Sequence, residues 1–366
     1  MIRVWGYLAE YEREREEILS AIERVLTSGQ LILGENVAQF ESEWARYCGV
    51  QWGVGVNSGT DAIFLGLKAL DVGQGDEVIT VSNTAVPTVA AIVSTGATPR
   101  FVDIDPTTYL MDTDGLERAI TDRTKCILPV HLYGQCVDMD RVRQVAASHD
   151  LAILEDCAQG HGATYKGRKA GSMSHVAAFS FYPTKILGGY GDGGMAIVDD
   201  PDLYDKLRRL RFYGMEGTYY SIEHGYNSRL DELHAAVLLG KLAHLDQYIA
   251  RRRTLARQYD QLLADTSLVL PREAPDNVHA HYLYVCRHPR RDEVVAELKQ
   301  RDIWVNVSYP WPIHVMPAYR YLGYQEGELP HTERAAREIF SLPMYPSLTD
   351  EEQRRVCDAL FEIEGV

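Results

Sequence analysis

Between Gly53 and Val198 short apolar runs alternate with longer amphipathic ones, and this alternation leaves few folds open. Gly53–Val56, Glu77–Val81, Thr98–Val102, Cys126–Val130 and Leu151–Glu155 read as buried strands. Between them, Ala62–Leu70, Thr88–Ser94, Asp112–Ile120 and Asp138–His149 read as helices. Strands that alternate with helices pair mainly in parallel and are covered by those helices. Val176–Phe181 and Met195–Val198 add a strand and its return partner across a glycine-rich turn, Gly188–Gly194. The expected fold class is therefore α/β, built on a mainly parallel mixed sheet of seven strands.

Ligands on such sheets sit beyond the carboxyl ends of the strands, and three features fall there. Asp156 follows the apolar run Leu151–Glu155. A carboxylate in that place is either a cap or salt-bridge partner, or a ligand to something cationic. Lys185 follows the strand ending at Phe181, among aromatic and glycyl neighbours that do not fit a solvated surface lysine. A primary amine held there is suited to Schiff-base chemistry with an aldehyde. Ser58-Gly59-Thr60 stands at a helix start, where free N–H groups and the helix dipole favour an anion, although Ser58 or Thr60 could simply cap the helix. After Asp156 come Gln159 and His161 among small residues; His161 is expected to support the site rather than react.

The chain has 366 residues, more than one ordinary core requires, which implies a large and a small domain. We expect them at 1–245, including an N-terminal helix over Leu8–Leu26, and at 246–366, with a smaller α+β composition. Asp231–Leu245 reads as a helix continuing to Leu263, followed by short strands at His281–Cys286 and Trp304–Val307. Gln30–Gly34 is too apolar for a solvent loop and is expected to cover a pocket or a subunit contact. The net charge of -15 and pI near 5.3 argue against nucleic acid and anionic membranes as partners. Six scattered cysteines without metal-ligand spacing predict reduced, buried thiols and no metal. The absence of a signal peptide or a spanning run of apolar residues predicts a cytoplasmic protein.

One cofactor satisfies all three features. Pyridoxal 5′-phosphate offers an aldehyde to Lys185, a phosphate to the amides of Gly59 and Thr60, and a ring nitrogen whose protonation Asp156 would stabilise. The segments Val56-Asn57-Ser58-Gly59-Thr60-Asp61-Ala62, Glu155-Asp156-Cys157-Ala158-Gln159, Phe179-Ser180-Phe181-Tyr182-Pro183-Thr184-Lys185, Gly191-Asp192-Gly193-Gly194 and Asn227-Ser228-Arg229-Leu230-Asp231-Glu232 together closely resemble the DegT/DnrJ/EryC1/StrS family of nucleotide-sugar aminotransferases. The resemblance extends from Leu33-Gly34 to His314. It implies a fold-type I homodimer with sites shared between subunits. It further implies that Gln159 bonds the ring hydroxyl, that Ser180 joins Gly59 and Thr60 on the phosphate, and that Asn227 reaches the phosphate from the neighbouring subunit.

The same resemblance implies L-glutamate as amino donor and a nucleotide-linked ketosugar, with dTDP as the nucleotide, as acceptor. The Phe181–Lys185 context is closer to relatives that aminate C3 than to those that aminate C4. Tyr182, Tyr309 and His314 are candidate substrate contacts. Two departures stand out. Ala85 occupies a position where many relatives stack an aromatic ring on the cofactor, and Ile186 replaces a common Asn. Competing readings are an aminotransferase for a keto-cyclitol, a sugar dehydratase of the same family and a non-catalytic regulator that binds the cofactor. Such dehydratases usually carry histidine in place of Lys185. A DNA-binding regulator would need a basic module that this chain does not show.

Overall fold

Each apolar run of the first half becomes a strand in the computed structural model, which describes residues 1–365. The strands are β1 (Trp52–Val56), β2 (Glu77–Val81), β3 (Thr98–Val102), β4 (Thr124–Ile127), β5 (Ala152–Asp156), the short β6 (Thr164–Tyr165) and β7 (Arg168–Lys169), β8 (Val176–Ser180) and β9 (Gly194–Val198). Seven of them form one sheet in the order β1-β9-β8-β5-β4-β2-β3. β9 runs antiparallel to both its neighbours, while β8, β5, β4, β2 and β3 pair in parallel. The carboxyl ends of β1, β2, β5 and β8 therefore open toward one edge. Residues after those ends have no ladder to join and are left to bind.

The covering helices are α1 (Tyr7–Ser28), α2 (Glu35–Cys48), α3 (Gly59–Ala69), α4 (Val86–Ser94), α5 (Leu116–Ala119), α6 (Met139–Ser148), α7 (Pro201–Leu210), α8 (Glu232–Leu242) and α9 (Leu245–Leu262). Residues 35–48, unassigned from the sequence, form α2 and bury Val37, Phe40 and Trp44 at helical spacing. Its start is fixed by the buried Glu232, whose carboxylate accepts from the N–H groups of Gly34 (2.7 Å), Asn36 (2.9 Å) and Val37 (2.9 Å) and from Asn36 Nδ2 (2.8 Å). An anion at a helix N-terminus is favoured by the dipole. The apolar Leu31 and Ile32 beside it remain about half exposed.

Three expectations are corrected. The long helix after Asp231 breaks at Ala243–His244, because α8 packs on α1 and α2 while α9 turns away toward a second core. Asp112–Ile120 forms a short 3-10 turn and the single turn of α5, with Gly115 between them. Trp304–Val307 is no strand: the N–H of Trp304 donates to Ile2, whereas Asn306 pairs with Ser341, so successive residues face different partners.

Beyond α9 lie β10 (Asn277–Val278), β11 (Tyr284–Arg287), α10 (Arg291–Gln300), α11 (Pro330–Glu338), β12 (Ile339–Leu342) and α12 (Asp350–Glu364). β11 and β12 pair antiparallel. This half has its own core, including Leu255, Tyr259, Tyr284, Phe340 and Leu360, which the N-terminal Ile2 joins. Helix α9 serves both cores, with Ile249 in the sheet core and Leu255 in the other. All six cysteines are free and buried. Among the described residues, no helix is long and apolar enough to cross a membrane.

Arg252 of α9 ties the two cores together, since Tyr282 belongs to the sheet core and Met344 to the second. It is buried, and its guanidinium donates to the carbonyls of His281 (3.2 Å), Tyr282 (3.1 Å) and Met344 (2.8 Å). Arg252→Leu strands three buried acceptors, each worth about 1–3 kcal/mol when unpaired, while sparing the desolvation of the charge. We expect a net loss of about 2–4 kcal/mol, read as a lower urea midpoint at unchanged slope. An unaltered midpoint would show that the joint does not depend on this residue.

Candidate active site

A cavity of about 290 Å³ opens at the carboxyl edge of the sheet. Its lining includes Gly59, Thr60, Asp156, Gln159, Ser180, Tyr182 and Lys185, residues from three separate segments. Among the described residues, Tyr182 is the one aromatic side chain in that lining, and it is half exposed. Where α4 begins, the wall is made by Thr84, Ala85 and Pro87, none of which can stack on a ring.

Ser58 caps α3: its Oγ accepts from the N–H of Asp61 (3.1 Å), and its carbonyl accepts from Ala62 (3.0 Å). The capping and anion-binding readings are compatible here, because Ala62 starts the helical ladder and the N–H groups of Gly59 and Thr60 precede it. The helix start lies against β8 so closely that a Cβ at Gly59 would stand 2.6 Å from Ser180 Cβ. Only glycine lets the amides and the Ser180 hydroxyl face one point.

Lys185 is placed by a tight turn. Its N–H donates to Tyr182 C=O (2.9 Å), and Gly189 N–H donates back to Phe181 C=O (2.8 Å). A Cβ at Gly188 would stand 2.5 Å from the Pro183 carbonyl, which accounts for the glycine. The amine itself lies over the ring of Tyr282, 4.8 Å from its centroid.

Asp156 and its neighbour Glu155 are both buried but differ in partners. Glu155 accepts from His131 (2.7 Å), Gly171 (2.9 Å), Met173 (2.9 Å) and Ser174 (2.8 Å). Burial alone would raise its pKa; these donors overcome that and hold it below the usual value. Asp156 has two donors, Ala158 N–H (3.0 Å) and Thr88 Oγ1 (2.8 Å), the latter in contact with Thr84 Oγ1 (2.9 Å). Burial therefore wins and raises its pKa, against the hydrogen bonds and the charge of Lys185. One carboxylate is satisfied by the protein. The other faces the cavity short of positive charge.

Gln159 is held at both ends: Oε1 accepts from Tyr133 N–H (2.8 Å), and Nε2 donates to Tyr309 Oη (2.7 Å). One amide hydrogen stays available. Tyr309 thus meets the site through Gln159. His314 is removed from it: the side chain is fully buried, with Nδ1 2.8 Å from Ser82 Oγ and Nε2 3.2 Å from Glu333, so its role is to lock the 313–333 segment onto β2. Asn227 is exposed and outside the cavity; its carbonyl accepts from Asn57 Nδ2 (3.1 Å). His161 packs among Trp44, Phe179 and Phe181, and its Nδ1 accepts from Leu187 N–H (3.1 Å). Burial pushes its pKa down to about 3, consistent with a neutral supporting ring. Thr84 and Thr88, which orient Asp156, are legible in sequence only as a loop and a helix start.

The raised pKa of Asp156 carries a stability signature. The unfolded carboxyl titrates near 3.9 and the folded one higher, so its contribution is present at acid pH and lost as pH rises through the folded value. In protein stripped of small molecules, Asp156→Asn should melt about 2 °C or more above the parent at pH 7.5. The gap should close toward pH 4. Scanning calorimetry checks both, and a lower melting temperature for the Asn variant at pH 7.5 would contradict the assignment.

A profile of the DegT/DnrJ/EryC1/StrS aminotransferase family matches residues 12–361. The chain is 55% identical, over 98% of both sequences, to a dTDP-3-amino-3,4,6-trideoxy-alpha-D-glucose transaminase of Micromonospora megalomicea subsp. nigra. Its structure is similar to that of S. venezuelae DesV in complex with a ketimine intermediate, with TM-score 0.97 and 46% identity across 99% of this chain and 98% of that one. It is also similar to the structure of ntda from Bacillus subtilis with bound cofactor PMP, with TM-score 0.89 and 34% identity across 97% of this chain and 82% of that one.

Proposed function

Because the chain belongs to the DegT/DnrJ/EryC1/StrS aminotransferase family, we propose that it transfers an amino group from L-glutamate to C3 of a dTDP-linked keto-deoxysugar, using pyridoxal 5′-phosphate. The observation that carries this is the convergence of an amine, an under-partnered carboxylate and free helix-start amides on one cavity. The C3 position and the dTDP group rest on likeness to the Micromonospora transaminase. The cofactor rests on the donor set and on the relative crystallised with PMP.

The residues fit such a cofactor. The space that a Cβ at Gly59 would fill is left clear, and Asp156 retains acceptor capacity toward a cationic partner. Gly59, Thr60 and Ser180 would hold the phosphate, with Asn227 added from the neighbouring subunit of a homodimer. Asp156 would pair with the ring nitrogen and Gln159 with the ring hydroxyl. Lys185 Nζ would make the covalent link.

When bound, the cofactor supplies an electrophilic carbon for the amine and a ring that takes up the electron pair left at the donor's Cα. Asp156, buried and short of positive charge, would favour a protonated ring nitrogen as its partner. Lys185 Nζ, once free, takes the proton from the donor Cα and returns it nearby, as base and then acid. Ile63 and Val130 add apolar surface to the wall. Tyr182, at the open side, is placed to meet the sugar.

The test begins with the visible spectrum of the purified protein. We expect a band that L-glutamate removes and that one of a panel of dTDP-ketosugars restores; a band indifferent to glutamate would reject the donor or the reaction. Lys185→Ala should keep cofactor but lose turnover by at least about 10³-fold. Gly59→Ala should raise the cofactor Kd about tenfold or more, since displacing α3 from Ser180 removes charge-assisted hydrogen bonds. Fluorescence titration reads that constant.

A further inference from the structure

The amine of Lys185 rests on the face of Tyr282, a buried residue from the other half of the chain that no motif of the sequence identifies. Its hydroxyl lies 2.9 Å from Thr184 Oγ1, the residue before the lysine. Its backbone is held from three sides. Arg252 donates to its carbonyl (3.1 Å), while the flanking Ala280 and Leu283 donate to Gly134 (2.8 Å) and Tyr133 (3.2 Å). A Cβ at Gly134 would stand 2.7 Å from Tyr282 N, so the contact is close-packed. The ring therefore has one orientation, and the amine meets its face rather than its edge.

We propose that Tyr282 is a positioning residue for Lys185, using its ring face to orient the free amine and to stabilise the ammonium formed when that amine takes a proton. The inference rests on the transamination reading. An aromatic face within about 6 Å attracts a cation through its quadrupole, by about 0.5–2 kcal/mol as exposure falls. The amine needs such help only in one part of the cycle. A covalent link to the cofactor would itself hold it. Once released it is a four-carbon chain with many rotamers, and the ring selects those that keep Nζ near the reacting carbon. Asp156 is the other charged group coupled to this amine, and the coupling is through its charge. The Thr184 hydroxyl keeps the ring from turning, which links lysine and ring through adjacent residues.

The ring face can be weakened without changing its volume. Tyr282→Phe keeps the quadrupole and drops the hydroxyl; Tyr282→pentafluorophenylalanine keeps shape and reverses the quadrupole. In cofactor-free protein, amine acetylation at pH 8, followed at the Lys185 peptide by mass spectrometry, should run within about twofold of the parent for the Phe variant. It should run about threefold to tenfold faster for the fluorinated one. In the loaded enzyme, the fluorinated variant should lose about tenfold in kcat for the glutamate half-reaction with KM unchanged. Tyr282→Met, which removes the ring, should follow the fluorinated variant if it folds. Equal acetylation rates for the parent, Phe and fluorinated proteins would overturn the proposal. Failure of the parent itself to react with glutamate would instead sink the transamination reading, while the acetylation ratio would still decide whether the ring holds the amine.

Discussion

Burying a carboxylate with fewer donors than it can accept costs several kcal/mol unless something cationic completes it. Asp156 is in that condition at the end of β5, itself buried and with two donors. Much of the surrounding architecture follows from the requirement to keep it so. The crossovers put β5 in the middle of the sheet, where neither face reaches solvent. Helix α4 brings Thr88 to one oxygen, and the turn after β5 brings Ala158 to the other. The remaining capacity faces the cavity that Lys185 enters.

Glu155 shows what the same fold does when a buried carboxylate is structural. It meets four donors, its pKa falls, and it pins the His131 and Gly171–Ser174 segments behind the sheet. Adjacent residues on one strand point to opposite faces. One face is finished by protein and the other is left for a ligand, and this difference in satisfaction separates scaffold from site more sharply than burial does.

The site is also a junction between halves of the chain. Gln159 touches Tyr309, Thr184 touches Tyr282, and Arg252 gathers the carbonyls of His281, Tyr282 and Met344. Tyr282 belongs to the sheet core and Met344 to the second, so Arg252 joins both cores beside the site. Packing at Gly134, against Tyr282, and at Gly59, against Ser180, leaves no room for a Cβ.

The strand runs, the helix start at Ser58 and the placement of Asp156 and Lys185 at strand ends were legible in sequence, because period and local chemistry decide them without distant partners. So was the family, through ordered motifs that each carry local backbone requirements. Tertiary structure alone decided the rest. His314 looks like a site residue in its motif, yet Ser82 and Glu333, both far along the chain or across a turn, hold both ring nitrogens. The break between α8 and α9 arises from two cores competing for one periodic stretch. Tyr282 is silent in sequence, since its value lies in the face it turns toward Lys185. Local order determines which residues can do chemistry; contacts between segments remote in sequence determine which of them meet.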